Sequence, residues 1–191
     1  MTFTFTRDLD SKRYLLRPRG SDPLHVRRGA PDGRPPPEGC KPRFVIAADA
    51  AGASPLAVVV RKGDRRLAVL TSDHELLAEL LLPPRKTRWR RPYEIHLPDG
   101  TVLRGREGTV PSLLLCAVLL PLVLLYLVGL ALSDMPAASI GAPLRTAWKR
   151  QGASIARAVM TESVRGRFRV RDDGLDHRVA YAQAVAKYWK G

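Results

Sequence analysis

Between Glu107 and Asp134 the chain carries no charged residue. The heart of that interval, Val110–Leu132 (VPSLLLCAVLLPLVLLYLVGLAL), holds eleven leucines. A helix over it would be about 34 Å long at 1.5 Å per residue, close to the ~30 Å hydrocarbon thickness of a bilayer. A core helix of a water-facing domain of this size keeps a polar stripe towards solvent. None is present, and Tyr126 is the only conventional side-chain donor deep in the run. The run therefore predicts one long apolar membrane helix, with Leu113, Leu119, Pro121, Leu125, Tyr126 and Leu130 embedded in lipid.

Two prolines modify that expectation. Pro111 fits the first turn of a helix. Pro121, at the centre, removes a backbone hydrogen bond and kinks the helix. Gly129 loosens its end. A re-entrant hairpin stays open as a second arrangement, with arms of about eleven residues, roughly 17 Å each. A helix wholly enclosed by a β-barrel is a third. Flanking charge gives conflicting orientations, because Arg104 and Arg106 stand on one side and Arg145, Lys149 and Arg150 on the other. The denser basic group at 85–91 tips a single span towards a cytoplasmic N-terminus, with the bulk of the chain facing the cytoplasm.

Charge matters because it is present on both flanks. The formal net charge is +14, from 32 basic and 18 acidic residues. Arg, Ala and Pro are all frequent, as in high-GC genomes, and this alone explains part of the excess. A cationic surface of this size favours anionic lipid headgroups or nucleic acid. The densest stretch comprises Arg85, Lys86, Arg88, Trp89, Arg90 and Arg91. Against a membrane, each cation there contributes on the order of 1 kcal/mol and the indole sits at the interface. Against nucleic acid, the cations bind phosphates and Trp89 stacks on a base. A basic loop between two strands is the plain structural reading. With an apolar run nearby, a membrane containing anionic phospholipids is the expected partner. Nucleic acid is less favoured, and a protein partner is left open.

The rest of the chain reads mostly as strand. Four segments follow: 1–43, 44–109, 110–132 and 133–191. Lys12–Arg17 resembles a short strand, and 17–43, rich in Pro, Gly and Arg, reads as loop. Phe44–Ala47 resumes an apolar pattern. Asp49, Asp73 and Asp99 each open a turn followed by an apolar strand, with Arg66–Leu70 and Tyr93–Leu97 preceding two of them. Pro98-Asp99-Gly100 and Lys62-Gly63-Asp64 are hairpin signals. Residues 44–106 thus predict an antiparallel meander. Ser72-x-x-Glu75 also fits a capping box opening a helix to Leu82, in competition with strand. Further on, Leu144–Arg150, Ser154–Met160 and Arg167–Arg171 read as strands. Leu175–Lys190 reads as a helix from the spacing of Leu175, Val179, Ala182, Ala186 and Trp189. Asp173 is its expected cap, with Asp176 in the first turn.

No residue set carries the signature of an enzyme or cofactor. His25, His74, His96 and His177 show no metal-helix spacing. Asp73-His74-Glu75 is a polar trio at a turn, and His96 alternates with Ile95 and Leu97 onto an exposed face. Asp172 and Asp173 sit at a helix entry, where capping explains them. Ser112, Ser133 and Ser154 lack a nucleophile-elbow context. Cys116 has no nearby base and predicts an inert thiol. The two cysteines, Cys40 and Cys116, form no disulfide framework. The N-terminus (MTFTFTRDLDSKRYLL) has no apolar core of a signal peptide.

Antiparallel hairpins with Asp/Gly turns, followed by a C-terminal helix opening at Leu175-Asp176, resemble the tubby-like β-barrel of the LURP-one and phospholipid-scramblase group. The resemblance covers 44–106 and 144–190 and includes no signature peptide. It implies a barrel enclosing the C-terminal helix, and lipid binding as in some members of that group; the apolar run would be an insertion. A single barrel also requires both flanks to lie on one side of a membrane, which a single crossing forbids. The expected fold is α+β: a barrel-like antiparallel meander, a C-terminal helix and one long apolar helix. The expected function is non-enzymatic contact with anionic lipid. The alternative is a soluble basic module with its apolar helix buried, binding nucleic acid or protein.

Overall fold

Strand alternation, apolar inward and polar outward, organises most of the described strands. The structure, a computed structural model, describes residues 1–7, 14–29, 37–84, 86, 91–108, 114, 117–122, 124–125, 145–152, 157–163, 166–171 and 174–188. Twelve strands run β1 (Thr2–Arg7), β2 (Tyr14–Pro18), β3 (Leu24–Arg28), β4 (Lys41–Ala47), β5 (Pro55–Arg61) and β6 (Arg66–Leu70), then β7 (Leu76–Leu81), β8 (Pro92–His96), β9 (Val102–Glu107), β10 (Thr146–Arg150), β11 (Met160–Ser163) and β12 (Arg167–Val170). Each pairs antiparallel with its neighbours in sequence, and β1 pairs with β12 to close the barrel. Closure leaves no unpaired sheet edge.

A barrel of twelve strands is too wide for its own side chains to fill, since diameter grows with strand number. The C-terminal helix (His177–Tyr188) fills the bore, with every residue from Val179 to Ala186 buried. A helix surrounded on all sides must be apolar on all sides, and the alanines at 180, 182, 184 and 186 keep it thin enough to fit. Around it stand Phe3, Leu16, Phe44, Ile46, Leu80, Ile95, Leu103, Trp148 and Phe168, each at most 1% exposed. Gly105 on β9 faces Trp148 on β10 in register, and the indole lies over the glycine where a Cβ would otherwise stand. Asp176 is the helix N-cap: its carboxylate accepts the backbone N–H of Arg178 at 2.8 Å.

The wall of β4–β6 is apolar on both faces. Val45, Val58, Val60, Ala68 and Leu70 form a second buried cluster on the outer side, with Cys40 against it. Strands buried on both faces read as continuous apolar runs, which is why PLAVVV and RLAVL show no alternation.

Several expectations are corrected. The fold is mostly β, a closed barrel, and not α+β with a membrane helix. Helical residues within the apolar run are 114, 117–122 and 124–125, and among the described residues no helix is long and apolar enough to cross a membrane. Pro121 lies within that stretch and withholds a backbone donor where a continuous span needs one. Nor is this run the enclosed helix, because the bore belongs to 177–188. The expected transmembrane helix is therefore withdrawn. Of its six embedded residues, Leu119 is half-buried while Pro121 and Leu125 are exposed; Leu113, Tyr126 and Leu130 lie outside the described residues. The competition after Ser72 goes to strand β7. Thr71 Oγ1 accepts the N–H groups of Asp73 and Glu75 in a tight turn that places His74 at φ 68°, so no capping box forms. The expected loop 17–43 contains β3; of the strand expected at Ser154–Met160, residues 154–156 lie outside the described residues and only Met160 is strand, as the first residue of β11.

Candidate functional site

The first component is the connection between β9 and β10. Glu107, the last residue of β9, pairs with Thr146, the first of β10. The Gly108 N–H donates to the Arg145 carbonyl at 3.1 Å. Residues 109–144 thus leave and re-enter the barrel between two hydrogen-bonded neighbours. A chain whose two ends meet this way cannot cross a bilayer once. Among its described residues, Leu114, Val118, Leu120, Leu122, Leu124 and Leu125 are 54–74% exposed. An apolar cluster of this size left in water signals a surface that meets another apolar phase.

The second component is a basic face beside that root. Strand registers connect Pro92, Arg106, Ala147, Thr161, Arg169 and Thr2 in one continuous row across β8, β9, β10, β11, β12 and β1. Outward-pointing positions on and around this row include Arg104, Arg106, Arg167 and Arg169, interspersed with Thr161, Ser163 and Lys149. One groove of about 430 Å³ is lined by Arg145, Arg157, Ala158, Thr161, Arg169 and Arg171. A second of about 470 Å³ is lined by Thr2, Arg19, Arg145, Thr161, Ser163, Arg167 and Arg169. The two share Arg145, Thr161 and Arg169, and among the described residues no carboxylate lines either. With inward Phe168 and Val170 buried and Arg167 and Arg169 exposed, β12 alternates apolar and cationic. Guanidinium forks over hydroxyl-bearing side chains suit phosphate and carboxylate oxygens.

The third component lies inside the barrel, beneath the root. Lys187, near the end of the C-terminal helix, places Nζ 2.6 Å from Glu162 Oε2, 3.0 Å from Glu107 Oε1 and 2.9 Å from Thr146 Oγ1. Tyr188 donates its hydroxyl to Glu162, and Tyr93 donates to Glu107 at 3.4 Å. The ammonium also stands over the rings of Tyr93, Trp148 and Tyr188. Burial, reinforced by Glu107, pushes the Tyr93 phenol far above its usual range. Burial and the hydrogen bond to Glu162 do the same for Tyr188. Both phenols therefore stay protonated and act as donors. The cluster fixes the helix to β9, β10 and β11 where the apolar connection emerges.

Of the basic group expected from sequence, Lys86 and Arg91 are exposed in the β7–β8 connection. Arg85, Arg88, Trp89 and Arg90 lie outside the described residues. Pro92 pairs with Arg106, so this connection joins the barrel at the same end as the root of residues 109–144. His96 is exposed and lies 3.2 Å from Glu94, which also pairs with Arg104. Among the described residues, no group of three His, Cys, Asp or Glu side chains is placed to hold a metal ion. None of the arginines at 19, 145, 157, 167 and 169 was singled out from sequence as a binding residue; Arg145 was counted only among the charges flanking the apolar run. Their signal was present in RGRFRVR, where arginine recurs at every second residue. That is the period of one face of a strand.

Compared with known proteins, the chain matches no family model, no curated protein and no solved structure.

Proposed function

We propose that the protein is a non-enzymatic lipid-surface protein. The barrel is a platform, residues 109–144 enter the interface without crossing, and the neighbouring arginine face meets anionic headgroups. The observation that carries this reading is the pairing of β9 with β10, which sets an exposed apolar connection and an arginine-rich face side by side. The closed barrel threaded by its C-terminal helix supports the tubby-like resemblance. The lipid reading rests on the surface and not on that likeness.

Magnitudes explain why both parts are needed. Six side chains, each more than half exposed, gain on the order of 8 kcal/mol gross on leaving water, at roughly 2 kcal/mol per complete transfer. That is comparable to one fourteen-carbon acyl chain, which alone gives marginal, reversible binding. A basic patch supplies the second attachment, at on the order of 1 kcal/mol per cation near an anionic surface. Away from β4–β6, the polar outer face and apolar bore are also the reverse of the pattern in a water-filled membrane barrel.

Co-sedimentation with vesicles tests this reading. The full chain is expected to pellet with anionic vesicles, weakly with neutral ones, and less at high salt. A variant with residues 109–144 replaced by a two-residue Asn-Gly turn is expected to remain in the supernatant. Equal partitioning of both proteins, or no sedimentation of the full chain, would overturn the proposal.

A further inference from the structure

The arginine face has a shape that a diffuse electrostatic patch does not need. It consists of two adjoining grooves, each of small-ligand size, which share Arg145, Thr161 and Arg169 in their lining. Arg157 and Arg171 flank one groove; Arg19 and Arg167 flank the other. Arg167 and Arg169 lie two residues apart on the same face of β12. That spacing puts their Cα atoms about 7 Å apart. Thr161 pairs with Arg169, and Ser163 with Arg167, so hydroxyl-bearing residues alternate with guanidinium-bearing ones across the sheet.

Clustered cations repel one another, and a bound anion offsets that repulsion. A single phosphate is saturated by two or three guanidinium forks. Six arginines lining two grooves, two of them common to both, fit two phosphates held a few ångströms apart in one molecule. We infer that these grooves bind a bisphosphorylated ligand, one phosphate in each lobe, with Arg145 and Arg169 bridging both. This deepens the lipid-surface proposal by assigning its headgroup chemistry. A lipid with two phosphates in one headgroup, such as a diphosphatidylglycerol, carries that chemistry; so does a free bisphosphate.

Two measurements separate these sources. In the first, the full chain is titrated with soluble 1,3-bisphosphoglycerol and, separately, with glycerol phosphate. In the second, it is titrated with vesicles containing diphosphatidylglycerol or phosphatidylglycerol at matched surface charge. The two-phosphate probe is expected to bind at least tenfold more tightly in each pair. The double variant R145Q/R169Q is expected to lose that preference. Its melting temperature should be unchanged, because both side chains are exposed. Preference in the soluble pair without sedimentation of the full chain on any vesicle would sustain the bisphosphate site and discard the lipid-surface reading. Preference in both pairs sustains both. Equal binding within each pair, or a preference that survives R145Q/R169Q, overturns the inference.

Discussion

Replacing Lys187 with methionine keeps the length and apolar stem of the side chain and removes only its charge. In the folded barrel that charge sits between two carboxylates, 2.6 Å from Glu162 and 3.0 Å from Glu107. The Lys187 side chain is 9% exposed and the Glu162 side chain 3%, whereas Glu107 reaches solvent at 20%. Glu162 would therefore be left as a buried anion with Tyr188 as its remaining donor among the described residues. Breaking a buried pair by deleting one partner costs about 3–5 kcal/mol, most of it the desolvated charge left behind. Domains are stable by about 5–15 kcal/mol in total, so this is a large share. Urea unfolding followed by tryptophan fluorescence reads it directly. With a slope of about 2–3 kcal/mol per molar, the midpoint of K187M should fall by roughly 1.5 M. Adding Glu162→Gln removes the stranded charge. The double variant should recover about 2 kcal/mol relative to the sum of the single changes. A midpoint shift under 0.3 M (about 0.7 kcal/mol at that slope), or strict additivity, would show that Lys187 is not the counter-ion of Glu162.

Three other perturbations test the core and the cap. Gly105→Ala puts a Cβ 2.6 Å from Trp148 Cδ1; it should cost about 1–3 kcal/mol by overpacking and shift the tryptophan emission, read in the same unfolding assay. Gln183 is fully buried with neither amide atom hydrogen-bonded, so Gln183→Met should stabilise by about 1–2 kcal/mol and raise the thermal midpoint. For Asp176, burial opposes ionisation, but the hydrogen bonds from the Arg178 side chain and backbone outweigh it and hold the carboxyl below its ordinary value. The cap's contribution is therefore complete above the unfolded-state value near pH 4 and is lost as pH falls through the lower folded one; Asp176→Ala should cost about 1 kcal/mol at pH 7 and progressively less as the pH is lowered below about 4.

Local chemistry made much of the barrel legible, and long-range pairing hid the rest. Asp49 and Asp99 are turn carboxylates as their context implied. Asp49 accepts the N–H groups of Ala53 and Ser54, and Asp99 that of Thr101. Both are held below the usual carboxylate range by those bonds. The helix at 177–188 was visible in its spacing, but its cap is Asp176, while Asp173 lies outside the described residues. Strand β1 escaped because its outward positions are threonines, which soften the alternation of TFTFTR. Strand β3 escaped because Pro and Gly on both sides gave the whole of 17–43 a loop composition. The pairing of Thr2 with Arg169 depends on no local signal. Without it, the arginines of β12 and Arg19 near β2 look unrelated, although closure makes them neighbours. The apolar run misled differently. Its length fitted a bilayer, but the flanking strands pair with each other, and that pairing decides the topology.

That pairing also sets what the barrel gives up to carry residues 109–144. Loop-closure entropy grows only as the logarithm of length, so lengthening a four-residue hairpin loop to thirty-six residues costs about 2 kcal/mol. The flanking ladder is unaffected, because Thr146 to Arg150 pair with Glu107 to Leu103 without a register break. Beneath it, Lys187 ties Glu107 and Thr146 to the central helix. The platform should therefore fold without the connection. A chain with residues 109–144 replaced by Asn-Gly is expected to unfold cooperatively, with stability equal to the full chain or up to about 2 kcal/mol greater. Calorimetry or urea titration measures this. A loss of more than about 2 kcal/mol would mean that the connection contributes packing energy to the barrel, and that it is a structural element of the wall instead of an appendage the barrel presents to lipid.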